Sequence, residues 1–194
     1  SGLGGAGRTG LLETIFGGRT RAAGRVYFKN RLMNFNRARE AIDHGFAMIT
    51  GERKANGLFL KCDLTFNTTI ANLEQYKTGL ALSNPKMVKA TNKEIKIMRT
   101  KCMGPDDMIS SLSGGNQQKV ISGRETSHDS SFMLVAQPVR GLDIGAIDRV
   151  HKTLLQLKKV GKAILLISAE LSEVLKLGDC IAVPFEGEMS TQVK

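Results

Sequence analysis

Short apolar runs alternate with amphipathic stretches along the second half of the chain. One compact apolar run covers residues 131–135 and ends at Ala136-Gln137-Pro138, and another covers 163–168. Residues 144–158 and about 170–177 place apolar side chains at helical spacing, and a last strand-like run covers 179–183. Both apolar runs predict buried strands. The order strand, helix, strand, helix, strand is typical of parallel crossovers and predicts an α/β fold.

The first half of the chain has a less regular pattern. It predicts short strands at 25–28 and 31–35, a helix over 36–44 and a buried strand over 46–49. From residue 58 to about 99 the pattern is mostly helical and polar, and its apolar positions suit packing faces. Gly104-Pro105 then breaks the chain before a further helix, which is predicted over 116–124.

The eight residues 2–9 match the spacing of a phosphate-binding loop, G-x-x-x-x-G-K-[ST], with Arg8 as the one departure. Gly2, Gly5 and Gly7 supply the glycines, Arg8 stands where lysine is expected, and the Thr9 hydroxyl could reach Mg²⁺. A helix predicted over 7–16 follows the loop, as phosphate binding requires. A flexible glycine-rich terminus is the alternative, and these residues alone leave it open.

A second glycine-containing loop, Ser113-Gly114-Gly115 in the stretch 112–120, lies directly before the helix predicted over 116–124. Ser113, Gly114 and Gly115 let the backbone approach a ligand closely, and the helix points free N–H groups at it. Such a loop suits a phosphate. An ordinary Ser-Gly-Gly loop that caps a helix is the alternative for these three residues.

Composition excludes some classes of protein and favours others. The 194 residues suffice for a domain with a real core, and no apolar run approaches the ~18 residues that cross a bilayer. The three cysteines lie far apart and there are three histidines, which argues against a zinc site or a disulfide framework and favours a reducing compartment. The net charge of +10 indicates either an acidic partner (nucleotide, nucleic acid or anionic membrane) or a solvated basic surface.

Five segments together resemble the nucleotide-binding domain of ATP-binding-cassette (ABC) transporters. The resemblance is greatest to the C-terminal cassette of the double-cassette ATPases of bacterial monosaccharide importers (ribose, galactose or xylose type). The segments are the phosphate loop at 2–9, a Q-loop counterpart at 51–54, the signature motif at 112–119, the D-loop at 140–146 with Asp143, and the switch region at 165–171.

The resemblance implies a P-loop NTPase-like cassette with a mostly parallel sheet and a helical subdomain. The strand that precedes the phosphate loop in the family has no counterpart here, so we expect an incomplete cassette. Residues 1–60 and 120–194 are expected to form part of the catalytic core, and about 61–119 the helical subdomain with the signature motif.

The resemblance also implies ligands and partners. ATP and Mg²⁺ would lie on Gly2, Gly5, Gly7, Arg8 and Thr9, and a second cassette would receive the signature residues. The signature residues are Ser113, Gly114, Gly115 and Gln117. An integral membrane sugar permease, and through it a periplasmic sugar-binding protein, would complete the importer at the cytoplasmic face of the inner membrane. Nucleic acid is disfavoured as a partner, since the sequence shows no base-reading element.

The sequence departs from the family at its catalytic positions. The strand before the D-loop usually ends in Asp-Glu, but here it ends in Ala136-Gln137, and Ala169 replaces the switch histidine. Alanine cannot hold Mg²⁺, and glutamine is a poor base. We therefore expect very weak hydrolysis at this chain's own site and an intact signature loop for a partner cassette. The alternative is a non-catalytic nucleotide-binding or interaction module derived from a degenerate cassette.

Overall fold

The structure is a computed structural model that describes residues 8–127, 129–185 and 188–189. Its α-helices are Arg8–Ile15 (α1), Ala38–Asp43 (α2), Leu64–Thr69 (α3), Asn84–Met98 (α4), Gly114–Thr126 (α5), Ile144–Lys159 (α6) and Leu171–Leu177 (α7). Its strands are Val26–Phe28 (β1), Arg31–Met33 (β2), Phe46–Ile49 (β3), Lys77–Thr78 (β4), Ala81–Leu82 (β5), Phe132–Ala136 (β6), Ala163–Ile167 (β7), Pro184–Phe185 (β8) and Glu188–Met189 (β9). Short 3₁₀ segments cover Ile70–Tyr76 and Ile109–Ser111, and a π-helical turn covers Arg53–Gly57.

The chain divides into two compact units. The first comprises residues 1–48, 129–137 and 158–194, and the second comprises 49–128 and 138–157. These boundaries differ from the expected division at residues 60 and 120, because α5 packs with α3 and α4. The assignment of a catalytic core and a helical subdomain stays a prediction.

A three-stranded sheet in the order β3-β6-β7 organises the first unit. Strands β6 and β7 are parallel, with Phe132 opposite Ala163 and Ala136 opposite Ile167. Helix α1 packs on β6 and brings the fully buried Leu12 into the core. The sheet thereby sets the carboxyl ends of β6 and β7 side by side, and chemistry is expected at this edge in α/β folds.

Phenylalanines fill much of the core of the first unit. Phe46 packs edge-on against Phe28, Phe35 and Phe132, with ring centroids 4.9–5.2 Å apart. Edge-to-face pairs of this kind stabilise a core beyond the effect of their buried area. The β1–β2 hairpin, which carries Phe28, is held to the sheet by this cluster.

Helix α5 is the centre of the second unit, and it is unusual because residues 116–125 are all buried although most are polar. Hydrogen bonds compensate part of this burial, although Gln117 Oε1, Gln118 Nε2 and Ser122 Oγ are buried without a partner in the described residues. The Arg124 guanidinium donates to the Gly57 carbonyl at 2.9 Å and the Asn67 carbonyl at 3.2 Å, and it pairs with Glu125 at 2.7 Å. A buried charge is tolerated only with such partners. The signature helix is therefore fixed by directional bonds as well as by packing.

The predicted strands and helices are mostly confirmed, and two predictions are wrong. The stretch 163–168 forms β7, but all of its side chains are at least partly exposed, because within the described sheet β7 has a neighbour on one side only. The run 179–183 is no strand: Asp179, Cys180 and Val183 are exposed, so the run does not cover a core, and the hairpin β8–β9 begins after it. The stretch 58–99 is mostly helical, as predicted, with a short β4–β5 hairpin between its helical segments.

Among the described residues, no helix combines the length and the apolar character that a membrane span requires.

Candidate functional site

The predicted site residues fall into both units. Arg8, Thr9, Gln137 and Ala169 belong to the first unit, and the signature residues and Asp143 belong to the second. The family resemblance assigns the first group to this chain's own nucleotide site and the second to the loop that it offers to a partner.

The first unit brings Gln137 and Ala169 together at the carboxyl edge of β6 and β7. The Gln137 amide donates to the Ile167 carbonyl at 2.8 Å, and the Ala169 amide donates to Gln137 Oε1 at 3.4 Å. Gln137 has a left-handed backbone with φ of 48°. For a residue with a side chain this conformation costs about 1 kcal/mol, and such strain is concentrated at functional sites.

This edge carries no acidic side chain at the two positions where the family has Asp and Glu. Ala136 is fully buried and offers only a methyl group, and Gln137 offers a neutral amide whose oxygen already accepts a hydrogen bond. The exposed Ala169 adds a second methyl group. The arrangement can orient a water through the Gln137 amide, but it cannot take up a proton at neutral pH.

The phosphate-loop residues Gly2, Gly5 and Gly7 lie outside the described residues. Arg8 and Thr9 form the start of α1, as the loop-then-helix pattern predicts, and the Thr9 side chain is half-buried. For Mg²⁺ the described residues of this site supply the Thr9 hydroxyl and no carboxylate at 136 or 137. These residues do not fit a tightly held Mg²⁺, which binds through carboxylates and nucleotide phosphates.

The signature loop caps helix α5. Ser113 is the N-cap residue, and its exposed hydroxyl accepts hydrogen bonds from the Asn116 backbone amide at 3.4 Å and from the Asn116 side chain at 3.0 Å. Gly114 and Gly115 lie in the first turn, so their N–H groups have no partner within the helix. Those two N–H groups and the positive end of the helix dipole suit a phosphate oxygen.

The two signature glycines are closely packed. A Cβ atom at Gly115 would lie 2.9 Å from the carbonyl oxygen of Gly141, and one at Gly114 would lie 2.6 Å from a guanidinium nitrogen of Arg53. Glycine is therefore required at position 115 by backbone contact. The signature loop, the D-loop and the Q-loop counterpart meet around these contacts within the second unit.

Gln117 anchors the loop instead of facing out of it. Its side chain is 4% exposed, and its Nε2 donates to the Ile109 carbonyl at 3.1 Å. The residue that the motif assigns to the signature surface thus holds α5 to the 3₁₀ turn before it. Its position in the motif gives no indication of this burial.

The D-loop residue Asp143 caps α6 and pairs with the signature helix. Its Oδ1 accepts a hydrogen bond from the Ala146 amide at 2.9 Å, and its Oδ2 lies 3.7 Å from Nζ of the buried Lys119. The Ala146 amide, and to a smaller extent the Lys119 charge, hold the pKa of the Asp143 carboxyl below its ordinary value. The carboxylate therefore stays ionised across the neutral range.

Sequence reasoning misses two residues of this cluster. Lys119 lies inside the signature motif, but nothing in its spacing predicts the contact with Asp143. The motif assigns Arg53 only to the Q-loop counterpart. In the structure the Arg53 guanidinium lies against Gly114. The Nε atom of Arg53 is buried and has no hydrogen-bond partner among the described residues. Neither contact has a signal in the sequence, because each joins segments at least twenty residues apart.

The sequence is similar to curated ATP-binding proteins of bacterial sugar importers. It is 44% identical over 182 residues to a galactose/methyl galactoside import ATP-binding protein of Treponema denticola, covering 94% of this chain and 37% of that protein. It is 40% identical over 191 residues to the protein of the same name from Escherichia coli K12, covering 98% of this chain and 38% of that protein. The chain thus spans less than two fifths of the length of these relatives. No protein-family model matches it.

Solved structures with the same fold are ATP-binding cassettes. A dimeric cassette in a post-hydrolysis state with ADP and Pi aligns with a TM-score of 0.84 and 19% identity over 99% of this chain and 82% of its own. A nucleotide-free ABC transporter cassette aligns with a TM-score of 0.77 and 23% identity over 98% of this chain and 77% of its own. The predicted fold class, a P-loop NTPase-like cassette, is confirmed.

Proposed function

We propose that this chain, whose sequence and fold resemble the ATP-binding cassettes of ABC transporters, is the ATP-binding part of a sugar importer whose own catalytic site is degenerate. In this proposal the chain binds ATP weakly and hydrolyses it very slowly. Its signature loop completes the nucleotide site of a second cassette. The sugar is a galactoside or a related monosaccharide, as the names of the relatives suggest.

The observation that carries the proposal is the contrast between the two groups of site residues. Ser113, Gly114 and Gly115 cap a 13-residue helix in the arrangement that receives a phosphate. Ala136 and Gln137 offer no carboxylate. Loss of a catalytic base typically removes about 10²–10⁴-fold of rate. A chain with these residues contributes to hydrolysis mainly through the partner's nucleotide.

The close packing around the signature loop supports its role in the partner's site. Lys119, Asp143 and the Gly115–Gly141 contact fix the loop without any contribution from ligand. A preorganised set of N–H donors stabilises charge on a transferring phosphoryl group, because it needs no reorganisation during the reaction. The loop can therefore serve a neighbour's ATP although the chain's own site has lost its acidic residues.

The remaining parts of the proposal follow from the resemblance. ATP would lie on the phosphate loop at 2–9, and a weakly held Mg²⁺ would rely mainly on the nucleotide phosphates, with the Thr9 hydroxyl as the protein's contribution. The partners are a second cassette, an integral membrane sugar permease and, through the permease, a periplasmic sugar-binding protein. The chain is peripheral, at the cytoplasmic face of the inner membrane.

The test is a mixing experiment with a hydrolysis-competent cassette from one of the galactose/methyl galactoside import proteins. Addition of this chain should raise the ATPase rate of that cassette. The variant Ser113→Arg should reduce the increase by at least about tenfold, since it blocks the phosphate-facing end of α5. The control Asn92→Arg adds the same group on the exposed face of α4 and should leave the increase within about twofold.

A rise that survives Ser113→Arg, or no rise with the parent chain, would sink the proposal. The second candidate, a non-catalytic binding or interaction module, is favoured by the missing carboxylates at 136 and 137. It predicts that no competent cassette is stimulated and that no permease co-purifies. Calorimetry with ATP at millimolar concentration then tells whether the module binds nucleotide at all.

A further inference from the structure

Helix α4 carries a row of lysines on its exposed face. Lys86, Lys89, Lys93 and Lys96 follow at intervals of three, four and three residues, which places them on one side of an α-helix over about 15 Å. All four side chains are exposed. Three of them, at 89, 93 and 96, line one shallow groove on this face.

No carboxylate forms an ion pair with this row in the part of the chain that the structure describes. The ion pairs found there involve none of the four lysines. The only acidic residue of α4 is Glu94, and its carboxylate lies against Gly123 of α5. Burial raises the pKa of Glu94, and the Lys93 charge only partly opposes this. Like charges at i, i+3 and i, i+4 repel and destabilise a helix, so the row is best satisfied by an external anion.

The hairpin that precedes α4 carries an exposed apolar side chain. The β4–β5 hairpin directly precedes α4, and Leu80 in its turn is fully exposed. Lys86 Nζ donates to the Lys77 carbonyl at 3.1 Å, which ties the hairpin to the first turn of α4. Leu82, at the end of the hairpin, is also about half exposed. The second unit thus presents leucine and lysine on neighbouring surface elements.

We propose that α4 and the β4–β5 hairpin form a docking surface for an anionic lipid bilayer. The lysines contact phosphate headgroups, and Leu80 enters the headgroup–acyl boundary. A bilayer surface satisfies both chemistries, since basic side chains bind anionic lipids and apolar ones gain by leaving water. A nucleic acid would neutralise the lysines but leave Leu80 in water. A protein partner would need a well-packed pocket for an anchor side chain, and this groove is shallow.

The proposal needs neither nucleotide nor a second cassette, so its failure is distinct from failure of the proposed function. The test is co-sedimentation of the 194-residue chain with vesicles of equal parts phosphatidylcholine and phosphatidylserine, compared with pure phosphatidylcholine. The parent chain should bind the anionic vesicles, and rising salt should weaken the binding. Replacement of all four lysines by Gln should lower the partition coefficient at least about tenfold. Leu80→Gln should lower it about tenfold.

A matched control variant removes an equal number of positive charges, four, at other positions of the chain. Its substitutions, all at exposed positions, are Lys152→Gln, Lys158→Gln, Lys159→Gln and Lys176→Gln. The control should bind anionic vesicles nearly as well as the parent, and far-UV circular dichroism should show all variants folded. The proposal is overturned if the parent ignores anionic vesicles, if either the lysine or the Leu80 variant keeps the parental affinity, or if the control loses as much. Binding to duplex DNA without binding to vesicles overturns it in favour of a nucleic acid.

Discussion

Gln137 occupies the position where the family resemblance predicts the general base. Its amide oxygen accepts a hydrogen bond from the Ala169 amide, and its left-handed backbone is fixed by the bond to Ile167. The position expected to hold the general base is thus held in place but cannot accept a proton. The proposed function rests on this absence of a proton acceptor at the carboxyl edge of β6 and β7.

Asp143 gives a pH-dependent prediction. Because the folded protein lowers its pKa, the ionised carboxylate stabilises the fold at pH values above about 3.9, the ordinary value, and this stabilisation is lost as the pH falls through the lowered one. The variant Asp143→Asn should therefore have a lower urea midpoint than the parent at pH 7. The difference should shrink as the pH falls through the lowered pKa.

The variant Asp143→Ala separates charge from capping. It loses the Ala146 hydrogen bond as well as the pairing with Lys119, so it should stay less stable than the parent at low pH, where the deficit of Asp143→Asn has shrunk. An Asn variant whose deficit does not shrink as the pH falls would contradict the assigned cause.

At the level of secondary structure, helix α5 makes a close backbone contact that the sequence motif does not predict. A Cβ atom added at Gly115 would lie 2.9 Å from the Gly141 carbonyl oxygen, which belongs to rigid backbone. A Cβ atom added at Gly114 would meet the end of the flexible Arg53 side chain. An alanine at either position gains about 1 kcal/mol of helix propensity. The net change in stability therefore depends on which atoms the added methyl group contacts.

Gly115→Ala should therefore be less stable than Gly114→Ala by about 1–3 kcal/mol, because the overpacked backbone must shift. Urea unfolding of the two variants under the same conditions measures the difference. The two substitutions form a matched pair, since they lie in the same turn of α5 and add the same methyl group. Equal stabilities would mean that the Gly141 contact relaxes without cost.

Local periodicity predicts the elements well where the pattern is strong. Strand β3 has the predicted bounds, and α5, α6 and β6 agree with their predictions to within about two residues. The pattern cannot predict burial in β7, because burial depends on which strands flank it. It also cannot predict that Arg124 and Gln118 of α5 are buried, since polar residues in a helix normally indicate a solvated face.

For the whole molecule, the sequence motifs suffice to indicate the family, and the fold and the relatives confirm that resemblance. The site residues stay a prediction, because their roles depend on a nucleotide and on a second cassette. The contacts of Lys119 and Arg53 cannot be predicted from the sequence, since they join segments that are far apart in the chain. The charge of +10 is ambiguous in the sequence, and the exposed lysine row on α4 gives part of it a definite place.

In the proposed function, this chain completes a partner's nucleotide site and does not hydrolyse ATP at its own. The decisive quantity is the amount of ADP trapped by vanadate in a purified pair of this chain with a competent cassette, because vanadate trapping follows hydrolysis. We expect one trapped ADP per pair, lost when Ser113→Arg is introduced here or when the partner's phosphate-loop lysine is replaced. Two trapped ADP per pair, or one that survives replacement of the partner's lysine, would contradict the proposed function.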